Sequence, residues 1–455
     1  MIGDTIAAIS TPTGDGGIGI VRLSGSDAVA IADALFRSPS PSGVSLSDVD
    51  SHTLHYGAIH VQERRIDEVL VSVMRAPRTY TREDVVEINC HGGIVSTRAI
   101  LDATLTAGAR LAERGEFTKR AFVNGRISLD QAKAVLDIVR AQTALGLEAA
   151  VDRLGGRFTQ AIAELRVTMA GMLADLEVEI DYPDLDVTIE ALAPRIEACL
   201  ANVQDLLSKS ESGRLIREGL TVAIVGRPNV GKSTLLNALL SEERAIVTPI
   251  PGTTRDTIEE DASLGGIPVR WIDTAGLREA DHPVEVEGVR RTREAMDRAD
   301  LLLLLVDVSE PRHREDDAVL NLEVDVPSLL ILNKSDLPTD EWDDVPEGRW
   351  RAVLRVSAKQ GDGIEALREE ILSAVGAGTL PTRNSVLLLD TWERDLLRRV
   401  GERLTRASQT ARDCGQADMI AEELRLAYQA ASELQGIDIS ESILDAVFAK
   451  FCVGK

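Results

Sequence analysis

The chain has 455 residues, of which 44% are hydrophobic and 27% charged, a balance close to the globular average that excludes wholesale disorder and fibrous repeats. The 50 Lys plus Arg against 74 Asp plus Glu leave a formal net charge of −24, and a surface that acidic repels phosphate backbones and anionic lipids at long range. Any nucleic acid must therefore meet a local patch or a partner's surface. Aromatic residues, at 3%, are too few for an extended base-stacking platform.

Residues 1 to about 120 mix short apolar alternations, such as Ile18-Gly19-Ile20-Val21-Arg22-Leu23 and Val85-Val86-Glu87-Ile88, with glycine-rich turns. They predict a small α/β or α+β domain, interrupted by a polar loop from Ser38 to Gly43. From Ser128 the apolar spacing becomes helical and runs through Leu136, Leu154, Ile162 and Leu173 until Tyr182-Pro183 breaks it. A further helix is expected over roughly Ile196 to Leu207. Strand and helix signals then alternate from Leu220 to about Val375, the signature of a doubly wound parallel sheet. Gly376 to Pro381 reads as a hinge, after which helical spacing returns from Leu396 to Val447.

Helices on both sides of one α/β module suggest an insertion whose ends leave and return at neighbouring points, with three domains in a row as the alternative. The expected fold is multidomain, α/β plus α. A P-loop, doubly wound domain over 216–380 is inserted into an all-helical domain made of 121–215 and 381–455, preceded by an α+β domain over 1–120. The longest purely aliphatic run, Leu301 to Val306, suits a strand buried on both faces and is far short of the ~20 residues a membrane helix needs. No membrane association is expected. The start Met1-Ile2-Gly3-Asp4 lacks a basic segment followed by an apolar one, and Cys90, Cys199, Cys414 and Cys452 show no paired metal spacing. A cytoplasmic, reducing setting is expected.

Gly226-Arg227-Pro228-Asn229-Val230-Gly231-Lys232-Ser233 matches the phosphate-binding pattern G-x-x-x-x-G-K-S, directly after the apolar strand Thr221 to Val225 and before the helix Thr234 to Leu240. Backbone N–H groups of such a loop curl around phosphate oxygens, the helix start adds its positive end, Lys232 reaches the β and γ oxygens, and Ser233 can ligate Mg²⁺. Asp273-Thr274-Ala275-Gly276 follows a second strand, so a carboxylate stands where it can hold Mg²⁺ through water and Gly276 can offer its N–H to the γ-phosphate. Gly252-Thr253-Thr254-Arg255-Asp256 lies between them, a polar loop whose Thr254 hydroxyl can complete the metal shell only while a third phosphate is present.

Base choice follows from Asn333-Lys334-Ser335-Asp336 after the strand Ser328 to Leu332. A carboxylate at Asp336 accepts both guanine donors, N1–H and the exocyclic amine, whereas adenine presents a bare acceptor at N1 and is repelled. Ser357-Ala358-Lys359 supplies a backbone N–H for guanine O6. GTP is therefore expected over ATP. Leu277 stands where many small GTPases carry a water-orienting glutamine, so another group must hold the attacking water. Arg278, Glu279 and Glu285 are candidates, and charged residues there equally suit a solvated switch helix.

With these motifs in hand, the chain resembles the tRNA-modifying GTPase family called MnmE or TrmE along its whole length. The resemblance rests on Gly16 to Arg22, Tyr80 to Glu87 with His91-Gly92-Gly93, Arg114 to Phe122, Asp273 to Glu279 and the terminal Phe451-Cys452-Val453-Gly454-Lys455. It implies a homodimer joined through a folate-binding N-terminal domain. It also implies a partner of the flavoprotein family MnmG (GidA), using FAD and NADH, in a heterotetramer that acts on tRNA. The reaction implied adds an aminomethyl or carboxymethylaminomethyl group to C5 of the wobble uridine with a reduced folate, 5-formyl- or 5,10-methylene-tetrahydrofolate, as the one-carbon source. A GTP-gated ribosome assembly factor is the rival reading, disfavoured because the C-terminal region has no basic RNA-binding module.

By the same resemblance a potassium ion sits where an arginine finger would act, held by Asn229 and by loop oxygens of Thr248, Ile250 and Thr253. Glu285 orients the water, and Arg255, Arg278 and Cys452 join it as catalytic candidates. Folate would be held by Arg22, Glu87, Arg126 and Lys455, a sensible set because arginine and lysine suit glutamyl carboxylates and an ionised Glu87 accepts pterin N–H donors.

Overall fold

The structure is a computed structural model that describes residues 3–40, 43–182, 192–240, 259–273, 296, 298–321, 326–338, 342, 349–375, 386–413, 416–437 and 440–454. The chain forms two compact units, one comprising Met1–Leu136, Gly156–Glu164 and Ser432–Lys455, the other Asp137–Gly155 and Leu165–Ala431.

The first unit is built on β1 (Ile6–Ile9), β2 (Gly16–Ser24), β3 (Phe36–Arg37), β4 (Thr53–Val61), β5 (Arg64–Met74), β6 (Val85–Gly92) and β7 (Arg110–Leu111), with α1 (Ala28–Leu35), α2 (Ile94–Thr106) and α3 (Glu116–Val123). The strand order is β3-β4-β5-β6-β2-β1-β7, antiparallel except where β7 joins β1. Period-2 alternation decides the faces. Val69, Val71 and Val73 of β5 pack with Val86 and Ile88 of β6 against Ile31 and Ala32 of α1 and Ile100 and Ala103 of α2. The opposite face carries Arg22 of β2 directly beside Glu87 of β6.

The tail belongs to this unit. Phe448 and Phe451 pack with Leu129, Ala132, Leu136 and Phe122, and each phenyl ring taken from water contributes ~1.5 to 3 kcal/mol. Gly115, in the left-handed region at φ 68°, lets the chain pass close to Phe448 and Phe451, where a side chain would collide with both. Its N–H donates to the Cys452 carbonyl at 3.3 Å, and Arg114 bridges Val453.

Much of the Arg114 to Phe122 motif and of the Tyr80 to Glu87 motif serves this packing. Arg120, 1% exposed, meets Asp4 at 2.7 Å, Glu116 at 3.0 Å and Glu83 at 3.1 Å. Burial opposes ionisation of Glu116, but hydrogen bonds from Arg110, the Glu113 backbone and Arg120 outweigh it and hold its carboxyl below the usual range.

In the rest of the chain, α4 (Leu129–Arg140), α5 (Ala144–Leu154), α6 (Arg157–Asp181) and α7 (Leu192–Glu218) precede β8 (Leu220–Val225) and α8 (Lys232–Leu240). The strands β9 (Glu259–Leu264), β10 (Ile267–Asp273) and β11 (Leu301–Asp307) follow, then α9 (Arg314–Leu320), β12 (Ser328–Asn333), β13 (Ala352–Arg355) and α10 (Ile364–Ala374). The chain closes with α11 (Thr391–Asp413), α12 (Ala417–Leu434) and α13 (Glu441–Phe448). Helix α7 runs eleven residues past the expected end at Leu207. Its last turns bury Ser210 and Gly213 beside Leu215 and Ile216, small residues whose contacts leave no apolar periodicity to read.

The second sheet has the order β13-β12-β11-β8-β10-β9. Strands β8, β10, β11, β12 and β13 run parallel, and β9 is antiparallel at the edge. All seven residues of β11 are buried, as the aliphatic run required. The chain leaves from β8 toward β10 on one side and returns to β11 on the other, so the strand order reverses at β8, the place where open α/β sheets bind ligands.

Insertion of this module is visible at its ends. Leu387 N–H donates to the Lys209 carbonyl at 3.0 Å, and a side chain at Gly213 would overlap the Leu387 backbone. The returning chain thus lies along the helix that leads into β8. A buried ionic node stands at the same place: Arg153 of α5 meets Asp137 of α4 at 2.9 Å and Glu393 of α11 at 2.6 Å, while Arg217 at the end of α7 meets Asp137 at 3.0 Å. The hinge expected at Gly376 to Pro381 lies outside the described residues.

Candidate active site

The phosphate loop leaves β8 at Gly226 and enters α8 at Lys232, two residues before the helix start expected from sequence. Its backbone is special where the motif says it must be. Gly231 has φ 101°, and a Cβ there would overlap the Asn333 amide; Gly226 has no room for a Cβ beside the Leu305 carbonyl. Asn229, exposed at the tip, is left-handed at φ 65°, a conformation asparagine tolerates better than most residues.

Lys232, buried, donates to the carbonyls of Gly226 at 2.6 Å and Arg227 at 2.7 Å, so its ammonium spans the loop mouth. Val230 is buried, while Ser233 and Thr234 are exposed on the first turn of α8, where unsatisfied N–H groups and the helix dipole attract anions. Arg227 anchors the loop from outside, meeting Glu310 at 2.6 Å and the fully buried Asp316 at 3.2 Å.

The two base loops join this cradle through Asn333. Its Nδ2 donates to the Val230 carbonyl at 2.8 Å, and its Oδ1 accepts from Ala358 N–H at 3.1 Å. Asn333 is 1% exposed. One side chain therefore fixes the phosphate loop and the Ser357-Ala358-Lys359 loop to the end of β12. Ser357 is buried with its N–H bonded to the Asp362 carbonyl at 2.9 Å, and Lys359 is exposed.

Lys334 is left-handed at φ 63°, a backbone state that a non-glycine residue keeps only where its surroundings enforce it. Its Nζ meets Asp307 Oδ2 at 2.5 Å. Asp307 ends β11 directly beside Asn333 of β12. Burial disfavours the Asp307 charge, but bonds from Lys334 and from the Ser309 hydroxyl and N–H outweigh it and hold the carboxyl below the usual range. Asp336 follows, exposed, on the same turn.

Every described member of the expected nucleotide set thus lies at or just after the C-terminal ends of β8, β10, β12 and β13. Asp273 ends β10, beside Ile224 of β8. Thr248, Ile250, Thr253, Thr254, Arg255, Thr274, Ala275, Gly276, Arg278, Glu279 and Glu285 lie outside the described residues, as do Cys414 and Lys455. Sequence reasoning missed Asp307 and Arg227. No local pattern marks Asp307, because its partner is set by the β11–β12 register; a charged residue closing an otherwise apolar strand was the available signal.

The described folate candidates form a second cluster in the other unit. Arg22 donates Nε to Glu87 Oε1 at 2.7 Å, and its Nη2 reaches the same oxygen at 2.7 Å. Among the described residues Glu87 Oε2 accepts no bond. The Tyr80 ring, to which sequence reasoning gave no binding role, has the guanidinium groups of Arg22 at 6.0 Å and Arg126 at 4.9 Å from its centroid. Arg22 Nη1 also donates to the Gly454 carbonyl at 3.3 Å, as does Ser10 Oγ at 3.1 Å.

Gly454 adopts φ 95° against the Ile9 carbonyl, where a Cβ would collide, so glycine is required for the tail to seat. Cys452, exposed, is two residues away. The other described cysteines differ from it. Cys90 is buried, and desolvation helped by the Asp67 charge pushes its thiol up to about 11; burial likewise raises Cys199. Neither is poised as a nucleophile. Among the described residues no group of acidic, histidine and cysteine side chains is arranged to hold a metal, and no helix is long and apolar enough to cross a membrane.

A model of the MnmE helical domain matches residues 129–452, enclosing the inserted sheet, and a model of the GTP-binding protein TrmE N-terminus matches residues 5–126. The tRNA modification GTPase MnmE of Geobacillus kaustophilus is 47% identical over 99% of both chains. Its namesake from Chloroflexus aurantiacus is 46% identical and that from Bacillus subtilis 44%, each over 99% of this chain and 100% of the relative. Matched by both family models and by relatives of up to 47% identity along its whole length, this chain belongs to the MnmE (TrmE) family of tRNA modification GTPases.

Proposed function

We propose that the chain couples GTP hydrolysis to modification of the wobble uridine of certain tRNAs. It would act in the cytoplasm as a homodimer with a flavoprotein of the MnmG (GidA) family, which would bring FAD, NADH and most of the basic surface that a chain of charge −24 lacks. The observation that carries this reading is identity of up to 47% to tRNA modification GTPases across the full length, with the nucleotide cradle intact.

In this reading GTP lies with its phosphates over the loop from Asn229 to Thr234, and Lys232 exchanges its carbonyl partners for β and γ oxygens. Asp336 takes the two guanine donors, while Asn333 keeps the base and phosphate loops in register. Ser233, with Thr254, would hold Mg²⁺, and Asn229, with Thr248, Ile250 and Thr253, would hold K⁺. Exposed oxygen donors at Asn229 and Ser233 fit such hard cations. When bound, the two ions neutralise charge that develops on the transferring phosphoryl group. Glu285 would orient the attacking water, with Arg255 and Arg278 in the moving loops.

The one-carbon donor would be a reduced folate at Arg22, Glu87, Arg126 and Lys455. Arg22 and Arg126 can pair with glutamyl carboxylates, and Glu87 Oε2 can accept pterin N–H groups. The Tyr80 ring, near both guanidinium groups, would offer an apolar surface, and Cys452, two residues from Gly454, would act on the one-carbon unit. Reconstitution tests the whole: full-length protein, an MnmG-family partner, undermodified tRNA, GTP and 5,10-methylene-tetrahydrofolate should yield 5-substituted uridine by mass spectrometry, and Lys232→Ala should abolish it. GTP turnover without any modified uridine would overturn the reading.

A further inference from the structure

We propose that Asp307 is a positioning residue for purine recognition: through its contact with Lys334 it holds the turn that presents Asp336, an inference that rests on the GTP reading of this site. Four bonds constrain that turn. Val308 N–H donates to the Asn333 carbonyl at 3.1 Å, and Ser335 N–H donates to the Val356 carbonyl at 3.1 Å. Leu337 N–H closes the turn on the Lys334 carbonyl at 3.0 Å. The Lys334 Nζ to Asp307 Oδ2 contact at 2.5 Å is the one ionic member of the set.

The first three are backbone bonds that many sequences could make. The fourth is specific, and it acts at the residue whose φ of 63° turns the chain toward Asp336. Asp307 suits the task because it cannot itself move. It is 1% exposed, and its Oδ1 is fixed by the Ser309 N–H at 3.0 Å and the Ser309 hydroxyl at 2.7 Å. Lys334 is 32% exposed, so without its anchor the stem is free to swing into water and the left-handed backbone loses a restraint. Asp307 is also held in register beside Asn333, which ties the phosphate loop. Base and phosphate recognition thus share one rigid strand pair.

Asp307→Asn replaces the anchoring oxygen by an amide of the same shape, and Lys334→Gln removes the opposite partner. In calorimetry on the full chain, Asp307→Asn should weaken GTP and GDP alike by roughly 10-fold, the scale of one charged hydrogen bond, with kcat at saturating GTP unchanged. The double variant should bind no more weakly than Lys334→Gln, because both changes remove the same contact. GDP affinity within about twofold of the parent, or an additive double variant, would overturn the assignment. Should Asp307→Asn not fold, Asp307→Glu displaces the charge by one methylene and must raise Kd without altering kcat; an unchanged Kd is equally fatal. The parent's discrimination between GDP and ADP separates the two levels. If the parent selects GDP and the variants behave like it, only the Asp307 role falls; if the parent binds both purines equally, the GTP reading itself fails.

Discussion

The side-chain amide of Asn333 donates to the Val230 carbonyl at 2.8 Å, so the turn that follows β12, proposed to read the base, is bonded to the phosphate loop. With Oδ1 engaged by Ala358 N–H, a single buried residue sets the distance between the two halves of the nucleotide site.

Asn333→Ala removes both bonds and leaves a buried carbonyl and N–H unpaired, each costly in a dry interior. GTP and GDP affinity should both fall by at least roughly 10-fold. Calorimetry that found both affinities intact would show that the loops are registered by other means.

The tail makes a prediction of its own. Gly454→Val cannot keep φ 95° beside the Ile9 carbonyl, so the bonds from Arg22 and Ser10 are lost and the cluster proposed to bind folate opens. Titration with 5-formyl-tetrahydrofolate should show weakened binding, with Arg22→Ala weaker still because it removes the carboxylate partner. Affinity equal to the parent in both variants would remove this cluster from the folate site.

The ionic node tests the junction of the helices with the inserted sheet. Arg153→Leu removes the 2.6 Å contact to buried Glu393 and the 2.9 Å contact to Asp137, which retains Arg217. Breaking a buried pair from one side is expected to cost about 3 to 5 kcal/mol, readable as a lowered urea midpoint. A midpoint unchanged from the parent would mean that the charges are solvated in solution.

Acid should act on the N-terminal unit through Glu116. Its carboxyl is held below the ordinary glutamate value of 4.5 in the folded protein, burial being outweighed by hydrogen bonds from Arg110 and Arg120. A lowered folded value means that the unfolded chain takes up the proton first. The stabilisation is therefore complete above 4.5 and lost as the pH falls below it through the folded value. Glu116→Gln should flatten that limb of the stability curve; an unaltered acid limb would assign it to other carboxylates.

The nucleotide site was legible in the sequence because its chemistry is local. Gly226 to Ser233 sits between an apolar strand and a helix, and Asn333 to Asp336 closes another strand, so spacing alone put these residues on one sheet edge. Insertion was legible from helical periodicity on both flanks, and the Leu387 to Lys209 bond bears it out. What stayed hidden depends on contacts between distant segments. Asp307 is defined by strand register, the Tyr80 ring by two arginines 58 and 46 positions away in the numbering, and the role of Gly454 by a carbonyl at Ile9. Nor does periodicity reveal the last turns of α7, which pack through Ser210 and Gly213.

The most direct measurement is steady-state turnover of GTP and ATP by the purified full chain in potassium and magnesium. A carboxylate facing the purine edge predicts rapid GTP hydrolysis with ATP scarcely used, and Asp336→Asn should transfer that preference to xanthosine triphosphate. Equal turnover of ATP and GTP by the parent protein would contradict the account.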